Sequence, residues 1–81
     1  MQYLITSASH AAPHWAAKAK GLIITVKHDN HAGVFKGFYC TNPELGCSRT
    51  YDVSSPVIAI TRFMREHGYY LIYARDVSEE D

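Results

Sequence analysis

His10, His14, His28, His31, Cys40 and Cys47 all have the chemistry to hold a zinc-like ion. Imidazole nitrogen and thiolate sulfur are the usual zinc ligands, and His28-x-x-His31 beside Cys40-x6-Cys47 has the make-up of a His2Cys2 set. The elements that must carry these residues argue against that set. His31 falls in a cluster of turn formers, Asp29 to Gly33, and Cys40 lies far down the returning strand, about 30 Å away at ~3.3 Å per residue. His28 and His31 then read as polar turn residues. For the cysteines, a loop containing Pro43 and Gly46 allows the Cα spacing of a disulfide. A reducing compartment would instead leave two free thiols acting as small, half-buried apolar residues.

Nucleophilic catalysis has little to build on. Neither cysteine lies in a helix N-terminal turn or another setting that lowers a thiol pKa. Glycine-rich phosphate loops and glycosidase-type carboxylate pairs are absent from the sequence. The expectation is a protein that is not an enzyme.

The elements around these residues follow from periodicity and punctuation. Gln2 to Thr6 is a short β-like run. Pro13 suits the first turn of a helix, the alanines of HWAAKAK extend it, and Gly21 offers its C-cap. That helix is barely two turns, so Trp15 is expected to dock it on the sheet. Leu22 to His28 is the clearest strand, with Leu22, Ile24 and Val26 on one face and Ile23, Thr25 and Lys27 on the other. Val34 to Cys40 returns as a hairpin partner. Asn42 to Gly46 makes a second turn, and Arg49 to Val53 a short further strand.

Ser54 or Ser55 then caps the strongest helix, Ser55 to His67, with Pro56 at its first position and Gly68 as its stop. Its apolar stripe is Val57, Ile60, Phe63 and Met64. Tyr69 to Val77 reads as the last strand. The order β-α-β-β-(β)-α-β predicts an α+β two-layer sandwich, an antiparallel sheet with two helices on one face, ferredoxin-like or related. If the helices cover Tyr70, Ile72 and Ala74, then Tyr69, Leu71 and Tyr73 point away beside Ile23 and Lys27. Phe38, Tyr69, Tyr73 and Arg75 are on this phase the candidate binding surface.

Two kinds of nucleic-acid binder are resembled by stretches of this sequence. Tyr39-Cys40-Thr41-Asn42-Pro43-Glu44 followed by Cys47-Ser48-Arg49-Thr50-Tyr51 resembles the second half of the Ogr/Delta-type zinc finger of phage late-gene activators. There an aromatic and a Cys precede an Asn, and an aromatic follows the second Cys. The resemblance spans about residues 39–51, with Leu45-Gly46 inserted and with Leu4 and Ser7 standing where the family's first Cys pair would be. It implies a phage or mobile-element origin, Cys40 and Cys47 as candidate zinc ligands, and DNA as a partner. Lys36-Gly37-Phe38-Tyr39-Cys40 resembles the opening of an RNP1 signature and Tyr3-Leu4-Ile5 an RNP2, which would imply single-strand binding through the sheet face.

Composition sets the outer bounds. At 81 residues, 47% hydrophobic and 20% charged, the chain is one globular domain with a modest core. The zero net charge hides an asymmetry: residues 1–75 hold eight basic against four acidic side chains, a net +4, and Asp76, Glu79, Glu80 and Asp81 cancel it. The expected organisation is a body over residues 1–75 and an acidic, frayed tail over 76–81.

No charged leader opens the sequence and no run approaches the ~20 apolar residues of a membrane span, so a cytoplasmic protein without membrane contact is expected. The best-supported class from sequence is a small non-catalytic binding protein that docks on a host or phage protein complex as an inhibitor or regulator. Its alternative is a nucleic-acid-binding regulator. No cofactor beyond zinc is implied, and a homodimer is compatible.

Overall fold

The computed structural model of the chain describes residues 1–78. Seven elements follow in order: β1 (Gln2–His10), α1 (Pro13–Ala19), β2 (Ile23–His31), β3 (Val34–Asn42), β4 (Gly46–Cys47), α2 (Pro56–Glu66) and β5 (Tyr69–Asp76). They form an α+β protein with a five-stranded, wholly antiparallel sheet ordered β4-β3-β2-β1-β5.

That order departs from the ferredoxin-like one, in which helix-linked strands are parallel and separated by another strand. Here β1 and β2 are neighbours, and the length of α1 explains it. Seven residues of helix advance only about 10 Å. The chain therefore re-enters the sheet partway along β1, where Leu4 pairs with Ile23 and Gln2 with Thr25. β2 then runs on past the start of β1. The result is two long ladders, β2–β3 and β1–β5, overlapping through a short β1–β2 junction, in a molecule 43 × 29 × 20 Å across.

The β2–β3 hairpin is longer and tighter than the cluster Asp29–Gly33 suggests. Pairing continues to His31 and Val34, leaving only Ala32 and Gly33 in the turn, both at positive φ (54° and 79°). Positive φ at both central residues is the type I′ geometry, whose twist matches that of the strands. Farther along β3, Gly37 sits in a bulge at φ 138°. Any Cβ there would overlap the Tyr51 carbonyl, which accepts from Phe38 N at 3.0 Å. Residues 48–51 thus lie along β3 without the regular strand expected over Arg49–Val53.

α2 forms as its caps predict. The Ser55 hydroxyl accepts from Val57 N, Pro56 occupies the first position, and Gly68 follows at φ 87°. Its buried face is Ala59, Ile60, Phe63 and Met64, so Val57 lies outside rather than in the apolar stripe. This face seals a core made by Tyr3, Ile5, Leu22, Ile24, Val26, Phe38, Cys40, Tyr51 and Tyr69. α1 is anchored to β1 through Ala19 instead of Trp15. Trp15 stays 44% exposed, with the Lys18 ammonium 4.0 Å above its ring.

The body extends past the expected boundary at residue 75. Asp76 closes β5, Val77 is buried and donates to Gln2 O at 2.9 Å, and the Ser78 hydroxyl accepts from Gln2 N at 2.8 Å. The rest of the expected acidic tail, residues 79–81, lies outside the described residues.

Candidate binding surface

β5 decides which side chains meet solvent. Tyr69 leaves the α2 turn pointing into the core, 5% exposed, beside the His10 ring at 5.1 Å. Alternation then puts Leu71 inward and Tyr70 and Ile72 outward. The ladder with β1 next shifts twice, between Ile5 and Ser7 and between Ser7 and Ala8, so that Ile72 is an extra residue opposite β1. A bulge of this kind resets the facing of everything beyond it. Tyr73 therefore also faces out, Ala74 packs against the core, and Arg75 is outward and exposed.

This phase corrects two of the four expected surface residues. Tyr69 is core, and Phe38, only 4% exposed, is packed beneath α2 with its ring 5.0 Å from His28. Tyr73 and Arg75 are exposed. Tyr73, at 60%, is joined by Tyr70 at 58% and Ile72 at 64%, both of which strand periodicity alone assigns to the covered face.

The register shows how the side of the sheet opposite α2 is built. Leu4 lies between Ile23 on β2 and Arg75 on β5, making one cross-strand row. Gln2, Thr25 and Thr41 make the next row, and Lys27 opposes Tyr39 in a third. Ile23, Tyr70, Ile72 and Tyr73 are all exposed, so no other described part of the fold covers this side. Lys27 and Arg75 supply its positive charge, and the Asp29 carboxylate accepts from the Thr50 hydroxyl. The surface is aromatic and aliphatic, with a cationic rim.

The cysteines do not come together. Cys47 pairs with Thr41, and Cys40, one residue back on β3, points to the other side of the sheet. Cys40 is buried in the core and Cys47 is exposed. Burial, reinforced by the Glu66 carboxylate, pushes the Cys40 thiol up to about 12. It stays protonated at neutral pH, which suits apolar packing and not a thiolate ligand or nucleophile. The Cys40–Cys47 zinc pair implied by the finger resemblance is thus not assembled.

The histidines are spread over the fold as well. His10 Nδ1 accepts from Ala12 N at 2.9 Å, His14 stacks near Trp15, and His28 lies among Phe35 and Phe38. Among the described residues, no three His, Cys, Asp or Glu side chains converge on a point fit for an ion. The RNP-like stacking residues fare similarly. Phe38 and Tyr3 are beneath α2, so neither presents a ring to a base on the open face.

Two buried networks had no reading in the sequence. Asn42, buried at the end of β3, donates from Nδ2 to Ile23 O at 2.8 Å and accepts from Glu44 N and Leu45 N at 2.8 Å each, which pins the turn into β4. Asn-Pro followed by Gly was the signal for a turn, though not for the cross-strand bond. Tyr51, also buried, donates its hydroxyl to Glu66, and Arg49 Nη2 lies 3.7 Å from the same carboxylate. Burial and this bond raise the Tyr51 phenol above its ordinary range.

Among the described residues no helix is long and apolar enough to cross a membrane. No protein-family model, curated protein or solved structure matches the chain, so the open face of the sheet is the ground on which its function is argued.

Proposed function

We propose that this protein is a non-catalytic binding module that docks through the open face of its sheet on a larger protein complex, as an inhibitor or regulator. The observation that carries the proposal is the outward row Ile23–Leu4–Arg75 and its continuation along Ile72 and Tyr73. Together they offer exposed apolar and aromatic side chains on a rigid sheet, bordered by two cations. Tyrosine and arginine around an apolar centre are the residues that carry most binding energy at protein interfaces. The partner surface that fits is apolar with an acidic border. The buried, protonated Cys40 and the dispersed histidines support a binding role over a catalytic one.

A photo-crosslinking amino acid placed at Tyr73, in cells of the natural host, tests this reading. A control protein carries the same group at Ile58, which is exposed on α2 away from the open face. Adducts to one protein complex from position 73 but not from position 58, abolished by Ile23→Asp, are expected. Equal labelling from both positions overturns the proposal. Adducts to RNA or DNA, with binding that falls steeply as salt is raised, would transfer the same face to nucleic-acid recognition.

A further inference from the structure

β5 forms one outer edge of the sheet, and its free side offers backbone donors and acceptors along eight residues. Soluble proteins commonly guard such an edge with proline, lysine, inward charge or a β-bulge. From Tyr69 to Ala74 this edge has no proline, lysine or inward charge; its one interruption is the bulge at Ile72, and it exposes Tyr70, Ile72 and Tyr73. An uncharged edge with a bare apolar flank calls for an occupant.

We infer that the occupant is a second copy of this chain, whose β5 pairs antiparallel with this one about a two-fold axis to give a continuous ten-stranded sheet. The first reason is facing. With the axis between Ile72 and Tyr73, Tyr69 opposes Asp76, Tyr70 opposes Arg75, Leu71 opposes Ala74, and Ile72 opposes Tyr73. Side chains directly opposite must share a face. In an unbroken strand this register would set inward against outward residues, because the paired positions differ by an odd number. The bulge at Ile72 removes that conflict. Tyr69, Leu71, Ala74 and Asp76 share the helix side, the last through its pairing with the core residue Tyr3, and Tyr70, Ile72, Tyr73 and Arg75 share the open side.

The second reason is charge. The N-terminal end of β5 follows the last turn of α2, where Arg65 and Glu66 sit; Glu66 is taken up by the Tyr51 hydroxyl and Arg49, while the Arg65 guanidinium is 5.9 Å from the Tyr70 ring. The C-terminal end carries Arg75 on the open side and Asp76 on the helix side. Antiparallel self-pairing sets Asp76 of each strand against the Arg65 end of the other, twice per dimer. An isologous contact requires such self-complementarity. Dimerisation would double the open face without using the Ile23–Leu4 row, so it stands or falls apart from the identity of any partner.

The test is sedimentation velocity and native mass spectrometry of the full chain over a range of concentrations, without partner. The expected species has twice the 9.1 kDa mass. Ile72→Lys, at a site 64% exposed, should be monomeric with an unchanged circular dichroism spectrum. Asp76→Arg should raise the dimer dissociation constant about tenfold, and Arg65→Glu combined with Asp76→Arg should restore it, since the swap re-forms both opposite-charge contacts. A chain that stays monomeric at every concentration overturns the inference. So does a dimer that Ile72→Lys leaves intact, or one that the double swap weakens further than Asp76→Arg alone.

Discussion

The Tyr51 hydroxyl donates to the Glu66 carboxylate, and this bond joins the irregular segment flanking β3 to the last turn of α2. Tyr51 is held from the other side by paired backbone bonds with Phe38, at 3.0 and 2.7 Å. Strand, flanking segment and helix are thereby locked around one buried ring.

Removing the hydroxyl should loosen that lock without opening the core. Tyr51→Phe keeps the packing but leaves Glu66 with Arg49 and water. The expected loss is about 1.5 kcal/mol, the low end for a hydrogen bond to a charged group because the Glu66 carboxylate is half-exposed. Urea denaturation of the two proteins, with equal m-values, measures it.

The same strand carries a position that tolerates no side chain. Gly37→Ala places a methyl group on the Tyr51 carbonyl at φ 138° and forces the flanking segment off β3. Backbone strain and displacement together should cost about 3 kcal/mol. Thermal denaturation would show a much lower midpoint, whereas Gly33→Ala, with open space around it, should suffer only from its positive φ.

The facing of β5 and β3 predicts opposite outcomes for similar substitutions. Phe38→Ala should destabilise by about 3–5 kcal/mol because it empties a filled core. Tyr73→Ala, made in the monomeric Ile72→Lys background, should stay within about 0.5 kcal/mol of that background, as expected of a solvated side chain. Equal losses at both positions would mean that the strand phase described above is wrong.

Thiol chemistry separates the two cysteines. In the native protein a maleimide should label Cys47 alone, with Cys40 reacting only after denaturation, because one thiol is exposed and the other is buried and protonated. Mass spectrometry of the labelled protein counts the adducts directly. Fast double labelling under native conditions would contradict the buried position of Cys40.

Alkaline stability should follow the same thiol. Its folded pKa of about 12 lies above the ordinary value of 9.0, so the fold favours the neutral form. The stabilisation is complete below pH 9 and is lost as pH rises from there toward 12. Tyr51, also raised, extends the loss to higher pH. A Cys40→Ala variant, whatever its absolute stability, should show a shallower decline between pH 9 and 12 in denaturant titrations.

The sequence alone determined what depends on local chemistry. Ser55, Pro56 and Gly68 bound α2, because capping and proline geometry act within one turn of chain. The alternation of Leu22 to Lys27 put Ile24 and Val26 in the core, since the face Leu22, Ile24, Val26 is apolar throughout while Ile23, Thr25, Lys27 turns polar. Hence local pattern and punctuation were enough to make the α+β class legible.

Only the tertiary structure decided the rest. YYLIYA is apolar on both of its faces, so no local pattern says which side α2 will cover. The bulge at Ile72 belongs to a ladder between residues more than sixty positions apart. Phe38 looked like surface beside a Lys-Gly pair, yet the bulge at Gly37 and the bridge to Tyr51 enclose it. Cys40 and Cys47 looked like a ligand pair, yet pairing across β3 and β4 sets them on opposite sides. Spacing along a chain states how far apart two groups are able to be, while register and facing state where they are.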